Sequence, residues 1–382
     1  MIFVAQTAEN GTVQYRDTKR YLWLISVATP CVPGFTAIAL MMGANPLWAM
    51  FPVLFYFGFV PLMDIIFGED GDNPPEEVIE KLAEDQYYRV LLFLSIPILY
   101  ASFLLAMAAI IFGNLPWWSA LMIAVSAGVS SGGGLTMAHE LGHKPNRADQ
   151  FGAKLILALS GYAHFCIEHN KGHHTQVATP EDPASSRLGE SVYAFALREL
   201  PGAAKRGWEA EVKRLTVKGF NVWSWQNDLL QGYAVTGIIA TAMVSIAGWF
   251  VLPFILIHHI TAWLQLTLAN YVEHYGLMRQ KRANGRYEPC EPRHSWNTNH
   301  IVSNLMLFHL QRHSDHHSNP MRPYQTLRNF DELPRLPSGY PGSFVLAAFP
   351  PLWRKVMDKK VMAWAGGDIA KTNHVAGYQP RV

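Results

Sequence analysis

Residues 90–138 read VLLFLSIPILYASFLLAMAAIIFGNLPWWSALMIAVSAGVSSGGGLTMA, 49 positions without a single Asp, Glu, Lys or Arg. A helix in water keeps a polar face. A bilayer instead excludes charge, because a charged side chain at its centre costs several kcal/mol. The stretch is about twice the ~20 residues that one spanning helix needs, and Gly113-Asn114-Leu115-Pro116 supplies a turn near its middle. It therefore reads as a helical hairpin that crosses a membrane twice. Two further stretches share the pattern: Tyr21–Met63 with 43 charge-free residues and Leu229–Val272 with 44. Gly43-Ala44-Asn45-Pro46 breaks the first, and Gly248 and Pro253 are the candidate breaks in the second. Three hairpins give six spanning helices.

The composition agrees. The 382 residues hold 31 Lys and Arg against 29 Asp and Glu, a net charge of +2, and only 16% are charged. Soluble domains carry about 25%. That deficit argues against an ordinary soluble protein, a disordered chain and a basic nucleic-acid binder. The hairpin tips carry no Lys or Arg, so the opposite side is expected to be the cytoplasm, with both termini there and the chain in the inner membrane. Twenty polar-rich residues without a signal-peptide pattern precede the first helix, which is expected to be a retained anchor.

The predicted architecture is an all-α integral membrane protein: six transmembrane helices with a cytosolic, His-rich helical cap. Its expected parts are an N-terminal cytosolic segment (1–20), the membrane domain (21–272) with a cytosolic insertion (139–228), and a C-terminal cap (273–382). Asn73-Pro74-Pro75-Glu76-Glu77 reads as a helix start. Phe151–Cys166 is too short to span and reads as a buried or half-inserted helix. Residues 191–225 mix aromatic and basic side chains, as interfacial helices do. No strand alternation or internal repeat stands out. Cys31, Cys166 and Cys290 are scattered and form no C-x-x-C, so the chain cannot build a rubredoxin centre, zinc ribbon or iron–sulfur site alone.

Sixteen histidines are present, and nine fall into four clusters: His139/His143, His169/His173/His174, His274, and His313/His316/His317. Residues three or four apart share a helix face, so His139/His143, His169/His173 and His313/His316/His317 are expected to converge. His139 and His274 end charge-free spans that exit on one face, which sets all four clusters at one depth. Neutral imidazoles that converge are metal ligands. Nine exceed what one ion takes; two ions would use four or five each. Glu140, Glu168, Glu273 and Asp315 adjoin these positions and are candidate acceptors for imidazole N–H groups. His164, His258, His259, His294, His300, His309 and His374 stay outside the set. His139-Glu140-x-x-His143 alone also fits a zinc protease, and a metal transporter is a third class. The protease leaves six clustered histidines unused. The transporter needs ligands spread through the membrane.

The boxes HELGHK (139–144), EHNKGHH (168–174), NYVEHYG (270–276) and LQRHSDHH (310–317) resemble those of the integral-membrane alkane 1-monooxygenases. The resemblance covers roughly residues 20–325, and the 270–276 box separates this family from membrane fatty-acid desaturases. It implies iron ligation by His139, His143, His169, His173, His174, His274, His313, His316 and His317. It further implies two non-haem irons, O2 as co-substrate, and hydroxylation of the terminal carbon of medium-chain n-alkanes. Electrons would come from rubredoxin, separate or fused, reduced by an NADH-dependent reductase. Related His-box enzymes acting on xylene or fatty acyl chains are the nearest alternative.

No side-chain acid or base attacks an alkane C–H bond, so the protein's tasks are positioning, water exclusion and electron access. Alkanes partition into lipid, so a tunnel along the bundle axis is expected. Its candidate lining is Phe55, Gly132, Gly133, Gly134, Leu135, Leu264, Thr267 and Leu268; the glycines equally suit close helix packing. Lys144, Arg147, Lys171 and Arg312 are candidates to meet an acidic electron carrier.

Overall fold

Each charge-free stretch folds as an antiparallel helix pair in the computed structural model, which describes residues 1–6 and 11–380. The pairs are α1 (Arg20–Met41) with α2 (Pro46–Phe67), α4 (Gln86–Phe112) with α5 (Trp117–Gly142), and α9 (Asp228–Ala247) with α10 (Trp249–His274). All six are long and apolar enough to cross a membrane. The turns form where the sequence offers left-handed backbone: Gly43 (φ +91°), Asn114 (φ +47°) and Gly248 (φ +82°). Pro253 is not the third turn. It sits at the start of the regular helix Leu252–His274, where its missing N–H costs nothing.

Helix α5 is the axis of the bundle and mostly buried, while α9 lies outermost and mostly exposed. Side-chain size explains the difference. A Cβ on Gly128 would stand 2.6 Å from the His258 carbonyl oxygen, and one on Gly132 would stand 2.5 Å from the Gln265 side chain. Helices α5 and α10 therefore touch backbone to backbone, as small residues allow within membranes. His258 Nε2 and Ser131 Oγ, 2.8 Å apart, join the same seam. On the outer surface Ile65, Ile66, Ile238 and Ile246 are more than half exposed, an apolar coat suited to lipid.

The polar segments gather at one end. There α3 (Glu76–Glu84), α6 (Arg147–Leu159), α7 (165–176), α8 (Val192–Val217), α11 (Ile301–Met306), α12 (His313–Ser318), α13 (Tyr340–Ala347) and α14 (Pro350–Trp364) close over the ends of α5 and α10. The N-terminal segment departs from expectation. Ile2–Gln6 (β1) and Thr12–Arg16 (β2) form an antiparallel hairpin with Phe3 opposite Tyr15. It lies on α3, where Lys81 Nζ donates to the Val4 carbonyl at 2.7 Å and Phe3 and Ala5 are buried. The fold is helical with this one small sheet among the described residues.

Candidate metal centre

Nine imidazoles meet under the bundle in two groups. His139, His143, His169, His174 and His316 form one; His173, His274, His313 and His317 form the other, with ligand-capable atoms in each group within 4.8 Å of one another. The groups abut, with the His174 and His317 ring centroids 4.5 Å apart. These are the nine positions picked out by spacing and, for His274, by the depth of the span it ends, and none of the other seven histidines joins either group.

The partition follows local backbone form. His139 and His143 share a face at the end of α5, as i and i+4 do in an α-helix. His169 and His173 do not stay together. Residues His169–His173 form a π turn, which needs about one residue more per revolution. His169 then aligns with His174 instead, their Nε2 atoms 3.0 Å apart, and His173 turns to the second group. In α12 His313 and His317 face each other at 2.8 Å through Nε2. His316, one residue off that face, contacts His174 at 3.1 Å in the first group. The trio expected on one side thus serves both.

The donor set fits a cation. Among the described residues, His139, His143, His173 and His274 bury Nε2 atoms that have no hydrogen-bond partner. Such orphans are rare in folded proteins and point to an absent ion or water. Nitrogens 2.8–3.1 Å apart have the spacing of imidazoles that share one ion held at about 2.1 Å. Burial, then the neighbouring histidines, depress His143, His169, His313, His316 and His317, and bring His174 down to about 2. These rings are neutral and free to ligate at pH 7.

The carboxylates divide differently from expectation. Glu273 adjoins the second group, with Oε2 3.2 Å from His313 Nε2 while Oε1 accepts from the Tyr340 hydroxyl at 2.7 Å. Burial, then Glu273, raises the Tyr340 phenol far above its usual range, so it remains a donor. Glu140 faces Lys144 at 2.8 Å. Asp315 accepts from Arg328 (3.0 Å) and Asn319 (2.9 Å). Neither orients a ring. Glu168 binds Arg206, whose Nε lies 2.7 Å from its Oε1.

The carboxylate that does orient a ring is Asp182, which the spacing argument missed. Its Oδ2 lies 2.8 Å from His173 Nδ1 and accepts from Ser185 Oγ at 2.7 Å, while Oδ1 accepts from Arg206 at 2.8 Å. Burial alone would raise Asp182; His173, Arg206 and Ser185 outweigh it and hold the carboxyl well below its usual range. Burial likewise opposes charge on His173, but Asp182 reverses the balance and raises it. Arg206 comes from α8. The same helix brings Glu199 to the 270–276 box, accepting from Thr267 at 2.8 Å and Asn270 at 3.3 Å. Burial pushes Glu199 up to about 7.

Above the histidines an apolar cavity runs between α1, α2, α5, α10 and α13, bounded among others by Tyr56, Gly133, Met137, Leu266, Leu310 and Tyr340. Gly132 and Gly133 line it, and a Cβ on Gly133 would meet nothing within 4 Å. The other expected lining residues lie off its wall. Gly134 packs on Leu99, and Leu135 is fully buried in the helix core. Leu264 turns outward, 37% exposed. Thr267 is taken by Glu199, Leu268 packs beside the cavity cluster, and Phe55 stacks on Phe59. On α10 the wall is Gln265, Leu266 and Ala269: a shift of one residue along a helix turns the face by about 100°.

Of the four basic residues expected at the surface, Arg147 and Lys171 are exposed and Lys144 is tied to Glu140. Arg312 is not a surface group. It is 2% exposed and donates to the carbonyls of Leu327 and Asp70, each at 2.8 Å. Its charge is used up in satisfying loop backbone.

Residues 115–343, which include all nine histidines, match the family described as fatty acid desaturase. Alkane 1-monooxygenase of Pseudomonas putida is 48% identical over 361 residues, 94% of this chain and 89% of that protein. The protein of the same name from Ectopseudomonas oleovorans is 49% identical over the same shares. Alkane 1-monooxygenase 1 of Alcanivorax borkumensis is 49% identical over 366 residues, 94% of this chain and 88% of that protein.

Proposed function

Because the chain belongs to the fatty acid desaturase family and, within it, to the alkane 1-monooxygenases, we propose that it hydroxylates the terminal carbon of medium-chain n-alkanes at two iron ions held by its nine clustered histidines. The observation that carries this reading is the meeting of those imidazoles in a group of five and a group of four with unpaired buried nitrogens. Iron with O2 supplies the oxidising power for the net reaction RH + O2 + 2 e⁻ + 2 H⁺ → ROH + H2O.

The chain's own residues do the rest. Asp182 fixes the His173 ring through Nδ1 and so presents Nε2 to the ion. Glu273 stands beside His313. The apolar cavity takes the alkane in extended form, its far end at Tyr56 in mid-bundle and its near end at Leu310 and Tyr340 beside the histidines. Holding a methyl group there turns an encounter into an oriented reaction and keeps water out. Gly133 leaves that space open, while Gly128 and Gly132 let α10 approach.

Electrons enter from rubredoxin, as the resemblance to the alkane 1-monooxygenases implies; the chain has no C-x-x-C with which to build such a centre itself. The exposed Arg147 and Lys171 suit an acidic carrier. In this reading residues 21–272 are the membrane domain of an inner-membrane protein, and 1–20, 139–228 and 273–382 face the cytoplasm. Metal analysis of purified protein, paired with product analysis on n-octane and on xylene, tests the proposal. Two irons per chain and 1-octanol are expected. One zinc per chain without hydroxylation would overturn it.

A further inference from the structure

Residues 326–382 carry no histidine box, yet α13 closes the cavity. Tyr340 is fully buried and forms part of the cavity wall. Its hydroxyl donates to Glu273 at 2.7 Å, and the other oxygen of Glu273 lies 3.2 Å from His313. Among the described residues no other cavity-lining side chain is linked to the histidine groups through a carboxylate in this way.

The ring is also fixed from below. The Tyr340 N–H donates to Gln311 Oε1 at 2.9 Å, two residues before His313. Gly339 lies so close to α2 and α11 that a Cβ there would stand 2.3 Å from both Asp64 Oδ2 and Ser303 Oγ. Asp64 in turn accepts from the Ser303 N–H at 2.9 Å. Tyr340 is thus held at three points: hydroxyl, backbone N–H and the seat of the preceding residue. Pro341 and Phe344 continue the wall on the same helix.

We infer that Tyr340 is a specificity-determining residue, the stop at the histidine end of the alkane cavity that sets which carbon faces the metal centre. The inference rests on the cavity being the alkane site. A chain that slides past the stop by one carbon presents its second carbon in place of its first. One methylene in an apolar pocket changes discrimination by tenfold or more, so loss of the stop falls on product position and length limit.

The test uses the full chain, iron-loaded and in lipid. One measurement is the ratio of 1-octanol to 2-octanol. The other needs no turnover: the longest n-alkane, among octane, dodecane and hexadecane, that raises the melting temperature in the absence of reductant. Tyr340→Ala is expected to lower the ratio by about tenfold or more and to extend the length limit, at unchanged iron content. Tyr340→Phe keeps the ring and is expected to restore the length limit while recovering the ratio only in part, since Glu273 loses its donor. If the alanine variant does not fold, Tyr340→Leu is read the same way. Parental ratio and length limit in Tyr340→Ala, or in Tyr340→Leu in its place, would overturn the inference. Gly133→Phe separates the two levels. If it shortens the length limit while the Tyr340 variants change nothing, only the stop is wrong; if it too has no effect, the cavity is not the alkane site.

Discussion

The two histidine groups have the same chemistry and different support. In the four-histidine group every ring is buried, Asp182 lies 2.8 Å behind His173, and Glu273 lies 3.2 Å from His313. In the five-histidine group His143 and His174 are half-buried, and among the described residues no carboxylate reaches hydrogen-bond distance of any of the five rings. One set is oriented from outside by fixed charge; the other is held by rings packed on rings, such as His139 on His316 at 4.2 Å between centroids. A ring locked by a carboxylate is a preset ligand. A ring held by its neighbours depends on how many remain, so the fifth histidine is a substitute for orientation.

The sharpest way to break that contrast is to remove one ligand from each group. His317→Ala leaves three rings around the better-oriented position and is expected to lower iron by one per chain and abolish turnover. His143→Ala leaves four and is expected to retain most of its iron with reduced activity. Elemental analysis of the two purified variants decides; equal losses would erase the distinction. Acid is the next lever, on metal-free protein. Four members of the five-histidine group outside the spans have depressed proton affinity. Below the unfolded value of about 6.5 the unfolded chain binds protons that these folded rings refuse, so stability falls with falling pH by up to about 1.4 kcal/mol per ring per pH unit. In the other group His313 and His317 act the same way, while His173, raised by Asp182, acts oppositely and gains stability as it protonates. The melting temperature is expected to fall between pH 7.5 and 5.5, with histidine NMR showing the five-ring group open first. A flat profile would contradict the burial argument.

Asp182→Asn probes the support directly. The Asp182 side chain keeps its shape but loses the charge that holds His173 and Arg206. Iron affinity is expected to drop about 10–100-fold at that group alone, read by competition with a chelator.

Why Asp182 escaped the sequence reading, while the ligands did not, is a matter of range. Charge exclusion over 49 residues and imidazoles three to five apart are local signals, and they survive any tertiary arrangement. The three hairpins and the clustering of eight histidines were therefore legible, and the span that His274 ends placed the ninth beside them. The π turn at His169–His173 is not local in this sense: one extra residue in a single turn moves His173 to the other group, and only packing against α8 and α12 specifies it. Thr267 and Leu268 failed as cavity lining for the same angular reason, because the face of a helix buried on several sides cannot be read from composition. Arg312 looked like surface because arginine usually is, yet it serves carbonyls 240 residues away in sequence. The N-terminal hairpin was missed because its first strand, Ile2–Gln6, is apolar at four consecutive positions, so the burial of Phe3 and Ala5 alone does not show in the sequence.

Glu140 gives the smallest effect on iron and the most discriminating one. Spacing alone makes it the best second carboxylate in the molecule, since it sits between His139 and His143. The helix puts it elsewhere: one residue from His139 is about 100° around the axis, so its side chain turns away from both rings, towards Lys144. That pair is an i, i+4 bridge whose lysine and glutamate are only 18% and 7% exposed, so removing the charge of one partner leaves the other largely buried and unpaired and destabilises the fold. Glu140→Gln is expected to lower the melting temperature, since Lys144 loses its partner, yet to leave iron content unchanged, where Asp182→Asn costs iron affinity. A loss of iron in Glu140→Gln comparable with that in Asp182→Asn would mean that the five-histidine group has carboxylate support after all.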